Sequence, residues 1–186
     1  MPPKVKITKE DVVGCAVELV RREGENAPNA RNVAAALGCS TQPVFSNFAN
    51  MDELRQAVVE KAYMLCEEYI RRETERGEYT AYKASGMGYI RFAAQERELY
   101  KLLYMRDRKN EMMPGEQLGD PVREQLVREN TGLDGKKANL FHVEMWAFVH
   151  GIATMFATGF VNLEWELVSA MLTDVYQGLK KRHGME

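Results

Sequence analysis

The chain lacks the marks of most enzymes, metalloproteins and secreted scaffolds. It has no glycine-rich phosphate loop, no nucleophile elbow and no His-Glu-x-x-His motif, so no catalytic constellation is legible and no cofactor is implied. Its three cysteines, Cys15, Cys39 and Cys66, are odd in number and without metal-ligand spacing. They read as reduced, structural thiols of a cytoplasmic protein. The opening stretch MPPKVKITKE is polar and has no apolar central region, so no signal peptide is expected. No two-residue alternation and no internal repeat is found, which points away from sheets and solenoids. Charge of one sign is missing too. The net charge of −2 argues against a protein that coats nucleic acid generally. The split is uneven, however. Residues 1–50 hold six basic against five acidic side chains, a net of +1, leaving −3 for the remainder. That polarity favours DNA at the N-terminal end, but weakly.

What is present concentrates in residues 29–54, NARNVAAALGCSTQPVFSNFANMDEL. The segment reads as two short helices meeting at Leu37-Gly38-Cys39. Asn29 is placed to cap the first, its side-chain oxygen accepting from a free backbone N–H. Val33, Ala34 and Leu37 turn one apolar stripe inward. Gly38 ends that helix because glycine tolerates the left-handed backbone of a tight turn. Ser40 is the expected N-cap of the second helix, and Pro43 falls in its first turn, where a missing N–H costs nothing. Val44 and Phe48, four apart, anchor this helix and leave Thr41, Gln42, Ser46 and Asn47 facing out. Short polar side chains on a helix braced by a partner suit base edges and phosphates in the major groove.

These residues resemble the TetR-type family of transcriptional regulators. The matching features are a first helix ending near Glu23-Gly24-Glu25, an x-Arg-x-Val-Ala helix at Ala30 to Ala34, and Leu-Gly-x-Ser at Leu37 to Ser40. Asn47-Phe48 then closes the recognition helix and Asp52-Glu53-Leu54 opens the next. The likeness covers the first third of the chain. A second segment, Trp146 to His150-Gly151, is similar to the Trp…His-Gly signature of one C-terminal subclass. The resemblance implies a homodimer on a near-palindromic duplex operator, usually as a repressor answering a small apolar or amphipathic ligand. DNA contacts are then expected from Lys4, Lys6, Arg31, Ser40, Thr41, Gln42, Pro43, Phe45, Ser46 and Asn47. The chain departs from the family at Phe45, where an aromatic residue with a hydroxyl is usual, and at Met51, where a basic residue is common. Both changes shift phosphate contacts onto Arg31, Ser40, Thr41, Ser46 and the N-terminal lysines.

The rest of the chain reads as helices. Thr8 with Asp11 starts the first, and its apolar face is Val12, Ala16, Leu19 and Val20. Asn50 with Glu53 starts a long one that runs to near Thr74, about 36 Å at 1.5 Å per residue. Helices are then expected over Tyr79–Ala94 and Glu96–Tyr104, a loop at 106–121, a short helix at Val122–Asn130 and a long one from Lys136 to Phe160. A last helix follows Asn162, with acids in its first turn and Lys180, Lys181 and Arg182 in its last, complementing the helix dipole. The expectation is an all-α fold. Residues 1–50 form a three-helix helix-turn-helix head, joined by the long helix to a ligand-binding and dimerisation domain over 51–186.

Phe141 to Val161 is long and apolar enough to raise a membrane span, but Glu144, His150 and several Thr and Gly residues argue against one. It reads instead as a helix buried on both faces, one against its own domain and one against a partner subunit. With the last helix it would build a four-helix interface from Ile152, Phe156, Val168, Met171, Leu172, Val175 and Leu179. His142 and Glu144 are two apart and point to different sides of a helix, so no metal site is expected. Aromatic and Met residues crowd the middle. Ordinary core is one reading. The other is a ligand pocket lined by Phe92, Tyr100, Leu103, Tyr104, Met112, Met113, Phe141, Met145 and Trp146. The rival to a DNA-binding regulator is an all-α interaction module whose helix-turn-helix reads no DNA.

Overall fold

The computed structural model describes residues 7–106 and 121–185. Among the described residues there are nine helices and no strand: α1 (Lys9–Glu23), α2 (Ala30–Ala36), α3 (Gln42–Asn47), α4 (Met51–Glu75), α5 (Ala81–Gln95), α6 (Arg97–Tyr104), α7 (Pro121–Thr131), α8 (Gly135–Thr158) and α9 (Trp165–Arg182). The all-α expectation holds. Most helix ends fall within a few residues of those read from caps and periodicity. The expected loop at 106–121 lies largely outside the described residues.

Two compact units emerge. One comprises Met1–Leu65 with Glu96–Arg106, the other Cys66–Gln95 with Asp107–Glu186. The division therefore does not follow the boundary expected at residue 50. The physical reason lies in α6, which buries Leu99, Tyr100, Leu102 and Leu103 and packs on α1. A fork of charged hydrogen bonds reinforces this packing, with Arg21 Nε and Nη2 donating to the two Glu96 oxygens at 2.8 and 2.7 Å. Those bonds hold the Arg21 guanidinium above its ordinary pKa. The head thus recruits a helix from far along the chain.

Within the head, α1 begins with the capping box anticipated from Thr8 and Asp11. The Asp11 N–H donates to Thr8 Oγ1 at 3.1 Å, and the Thr8 N–H donates to the Asp11 carboxylate at 2.9 Å. Val12, Ala16, Leu19 and Val20 are buried, as the periodicity required, together with Val17. Helix α4 opens on a similar closure. The Glu53 N–H donates to Asn50 Oδ1 at 2.9 Å, and Glu53 Oε2 accepts from the Ala49 N–H at 2.7 Å.

The body is built on the pairing of α5 with α8, flanked by α7 and α9. Gly88 lets the distal part of α4 close on α5. A Cβ there would stand 2.6 Å from Ile70 Cα and 2.9 Å from the Tyr69 carbonyl oxygen, both rigid backbone. Two Tyr–His pairs run between α5 and α8: Tyr82 with His142 at 3.3 Å and Tyr89 with His150 at 2.9 Å. Lys83 Nζ reaches Thr173 Oγ1 on α9 at 2.8 Å, and the Tyr176 hydroxyl donates to the Asn130 carbonyl on α7 at 2.9 Å.

Helix α8 is long and apolar enough, by length and composition, to cross a membrane. One face nevertheless carries eight buried residues, among them Phe141, Met145, Ile152 and Phe156. Outside that face Leu140 and Met155 stay exposed, as does Trp146 at its edge. The expectation of burial within its own domain is met on one side. The interface residues chosen from the apolar stripe fare differently. Ile152, Phe156, Val168 and Leu172 are already buried within the body, while Met171, Val175 and Leu179 are half-buried. The protomer core takes the most regular stripe first, because it is the face that α5 and α7 can reach.

Candidate nucleic-acid interface

The candidate reading surface is α3, and its geometry follows from closures at both ends of α2. Asn29 caps α2 as anticipated, its Oδ1 accepting from the Arg31 and Asn32 N–H groups at 3.1 and 3.0 Å. At the other end the Cys39 N–H donates to the Ala34 carbonyl at 2.9 Å, and Gly38 takes φ +64°, where a Cβ would be strained. The cap of α3 is Thr41, not Ser40, and it makes no side-chain capping bond. Pro43 near the helix start removes one of the N–H groups that a capping oxygen would satisfy, so little is lost.

Val44 is wholly buried and Phe48 nearly so, which pins α3 to the head. The face away from them exposes Gln42, Phe45 and Ser46, with Ser40 exposed before the helix and Thr41 and Pro43 half-buried. Phe45 is 53% exposed, an apolar ring open to solvent. Ser46 donates back to the Gln42 carbonyl at 2.9 Å, leaving its oxygen lone pairs outward. Asn47 is turned inward, which differs from the outward reading. Its amide donates to the Pro43 and Ile7 carbonyls at 2.9 and 3.3 Å and ties the chain entering α1 to the end of α3. Arg31 is exposed at the start of α2. Lys4 and Lys6 lie outside the described residues. Lys9 spends its charge inside the head, 3.1 Å from Glu53 and 4.7 Å over the Phe48 ring.

The nominated ligand residues divide between the two units. Phe141 and Met145 join Tyr82, Val127 and Ala138 in one buried cluster of the body. Phe92 is buried there too, edge-on to Tyr69 at 5.7 Å. Trp146 is 40% exposed and stacks on His150 at 4.8 Å. Tyr100, Leu103 and Tyr104 lie on α6 in the head unit, where Tyr100 and Leu103 are fully buried. Met112 and Met113 lie outside the described residues. Glu144, once weighed as a metal ligand, instead receives His183 at 2.8 Å and Arg182 at 3.2 Å from the end of α9.

One feature of the body escaped the sequence reading. Glu73 on α4 is 2% exposed. Its Oε2 accepts from Arg76 at 3.0 Å and lies 2.9 Å from Arg91 Nε, an ion contact without hydrogen-bond alignment. The Arg91 guanidinium stands 4.2 Å over the Trp165 ring, and Trp165 stacks parallel on Phe156 at 5.4 Å. One column of side chains therefore links α4, α5, the start of α9 and α8. The available signal was an acid in the apolar register of α4, following Ala62, Cys66 and Tyr69 at three- and four-residue steps.

Comparison with known proteins agrees with this architecture. Residues 82–175 match the family model described as the tetracyclin repressor-like C-terminal domain. Among solved structures, a TetR-like transcriptional regulator from Rhodococcus sp. RHA1 superposes with a TM-score of 0.65 at 15% identity, covering 98% of this chain and 97% of that one. No curated protein matches the chain. The C-terminal match spans half of the chain, and the helix-turn-helix head stands outside it, carried by its own motif. The chain belongs to the tetracycline-repressor-like (TetR) family of transcriptional regulators.

Proposed function

We propose that the protein is a ligand-responsive repressor, cytoplasmic and homodimeric, that binds a near-palindromic operator through α3. The observation carrying this reading is the exposed face of Ser40, Gln42, Phe45 and Ser46 on a helix locked by Val44 and Phe48. A reading helix must present donors and acceptors without itself moving, and burying its two apolar anchors supplies that rigidity. Gln42 is the base reader, since its amide can pair bidentately with adenine N6 and N7. Arg31 supplies a sequence-independent phosphate contact, and Phe45 a surface for a thymine methyl.

One head covers one half-site, so a symmetric operator calls for an isologous pair of chains. The exposed face of α8 with α9 suits that pairing. Leu140, Met155 and Leu167 are 49%, 40% and 49% exposed. Gly151 on α8 and Gly178 on α9 have open space where a Cβ would stand, room for a close helix approach. Met171 flanks that face, whereas Val175 and Leu179 pack on the inner cluster and, with Ile152, Phe156, Val168 and Leu172, support it from inside. A small apolar or amphipathic ligand would lodge among Phe92, Phe141, Met145 and Trp146. Helix α4, continuous from Met51 to Glu75, would carry the response toward the recognition helix. Such a ligand can act only by its difference in affinity for the free and operator-bound dimer.

The deciding experiment incubates the purified protein with random genomic fragments and sequences what is retained. Recovery of one inverted-repeat sequence supports the reading. Retention of no fragments, or of fragments sharing no sequence, supports the rival interaction module instead.

A further inference from the structure

Two of the three cysteines lie against α2, in the part of the head from which α3 starts. Cys15 lies in α1 and Cys39 in the α2–α3 turn, and both are half-buried. The Cys15 thiol is directed at the Val33 carbonyl, with Sγ 3.8 Å from that oxygen. The Cys39 backbone N–H is held by the Ala34 carbonyl, 2.9 Å away. Val33 and Ala34 are successive residues of α2, about 3.8 Å apart between Cα atoms. Both cysteines thus touch adjacent peptide groups of one short helix. Cys66, in contrast, is 1% exposed and belongs to the other compact unit.

We propose that Cys15 and Cys39 form an oxidative modification site, a reversible disulfide that disables the reading head. A hydroperoxide is the oxidant. One thiolate attacks the peroxide oxygen, giving a sulfenic acid and releasing hydroxide, or an alkoxide when the peroxide is organic. The second thiol then attacks that sulfur, and water leaves as the disulfide closes. With hydrogen peroxide, two thiols and one peroxide yield one disulfide and two waters. Burial pushes the Cys15 thiol above its ordinary pKa, and a thiolate at Cys39 pushes the same way, whereas Arg22 opposes both. Burial favours the thiol form of Cys15, which suits a resolving role, so Cys39 makes the first attack on peroxide.

Disulfide closure requires the two sulfurs to approach to about 2.05 Å. The Cys39 side of the bond belongs to a turn built from Gly38 at φ +64° and short backbone closures of Gly38 on Ala35 and Cys39 on Ala34. The Cys15 side belongs to a helix whose Ala16, Val17 and Leu19 are buried. The turn yields first. Ser40, Thr41 and Gln42 follow directly from it, so the start of α3 shifts relative to α1. This consequence rests on the proposed DNA reading; formation of the bond does not.

The test treats the reduced full-length protein with hydrogen peroxide, digests it with trypsin without reductant and weighs the peptides. The expected product links residues 10–21 to residues 32–55, with a mass two hydrogens below the sum of the two peptides, and reductant separates them. In parallel, affinity for the recovered operator should fall at least tenfold on oxidation and return with reductant. Cys15→Ser and Cys39→Ser should each keep full affinity under peroxide, while Cys66→Ser should behave as the wild type. Peptides 10–21 and 32–55 found unlinked, with their thiols still open to alkylation or oxidised singly, would overturn the site. Linked peptides with unchanged operator affinity would overturn its effect on the head. A reduced protein that binds no operator at all counts against the DNA reading, and the peptide map then decides the disulfide alone.

Discussion

The reading motif and the body reach stability by opposite routes. Across residues 29–54 most bonds join near neighbours: Asn29 to Arg31 and Asn32, Cys39 to Ala34, Phe48 to Val44, and Glu53 to Ala49 and Asn50, while Asn47 to Ile7 and Glu53 to Lys9 reach further. In the body the partners are remote in sequence. Lys83 and Thr173 are 90 residues apart, Tyr89 and His150 are 61 apart, and Tyr82 and His142 are 60 apart. A motif closed by local bonds keeps its shape when the surrounding sequence drifts. A body closed by remote pairs can exchange those pairs, and with them the shape of its interior.

The largest expected break of this contrast is at the body's buried ion cluster. Arg91→Ala removes the less exposed of the two cations beside Glu73 and the cation over Trp165. Leaving a buried carboxylate so weakly compensated should cost about 3–5 kcal/mol, read by urea denaturation. The double variant Glu73→Met with Arg91→Met should recover most of that loss. If Arg91→Ala is neutral, the column does not hold the body together.

Gly88→Ala comes next. The new Cβ would meet backbone atoms of Ile70 and Tyr69, which cannot rotate away. A loss of about 1–3 kcal/mol is expected from overpacking, with α4 levered off α5. Unchanged thermal unfolding would show that the two helices separate freely.

The motif is probed by Gln42→Ala, which should leave stability untouched and cost about 1–3 kcal/mol of binding on the best operator, relaxing preference at one position per half-site. Arg31→Ala should instead weaken binding on all sequences alike and flatten its salt dependence. Equal losses on operator and random DNA for Gln42→Ala would remove its base-reading role. Asn29→Ala takes away the α2 cap, for a loss of about 1 kcal/mol in stability. If local bonds dominate the motif, operator affinity should fall with it, measured by titration at fixed salt.

The smallest effect is electrostatic. Glu68 accepts from Arg71 and then Arg72, and these bonds pull its carboxyl from the ordinary 4.5 to about 2. A depressed acid stabilises the fold above its unfolded pKa and loses that contribution as pH falls from about 4.5 toward 2. The pair network is solvent-exposed, so the gain is slight. Wild type and Glu68→Gln should differ in melting temperature at neutral pH and converge near pH 2. A constant offset across that range would rule the network out.

Capping residues, glycine turns and apolar periodicity were enough to read the helix order, the α2–α3 turn and the buried face of α1, because each depends on neighbours within about one helical turn. Asn29, Gly38, Val44 and Phe48 all do what their local spacing requires. Other roles depended on distant partners. Asn47 looked outward by periodicity, but the carbonyl of Ile7 draws its amide in. Tyr100 and Leu103 read as pocket residues, whereas α6 turned them against α1 once Arg21 had a carboxylate at Glu96 to grip. Val168 and Leu172 read as a dimer seam and became core, because a helix shows only that it has an apolar face. Which neighbour covers that face depends on the packing of the whole chain, and so does the pairing of a buried acid such as Glu73 with an arginine 18 residues away on another helix.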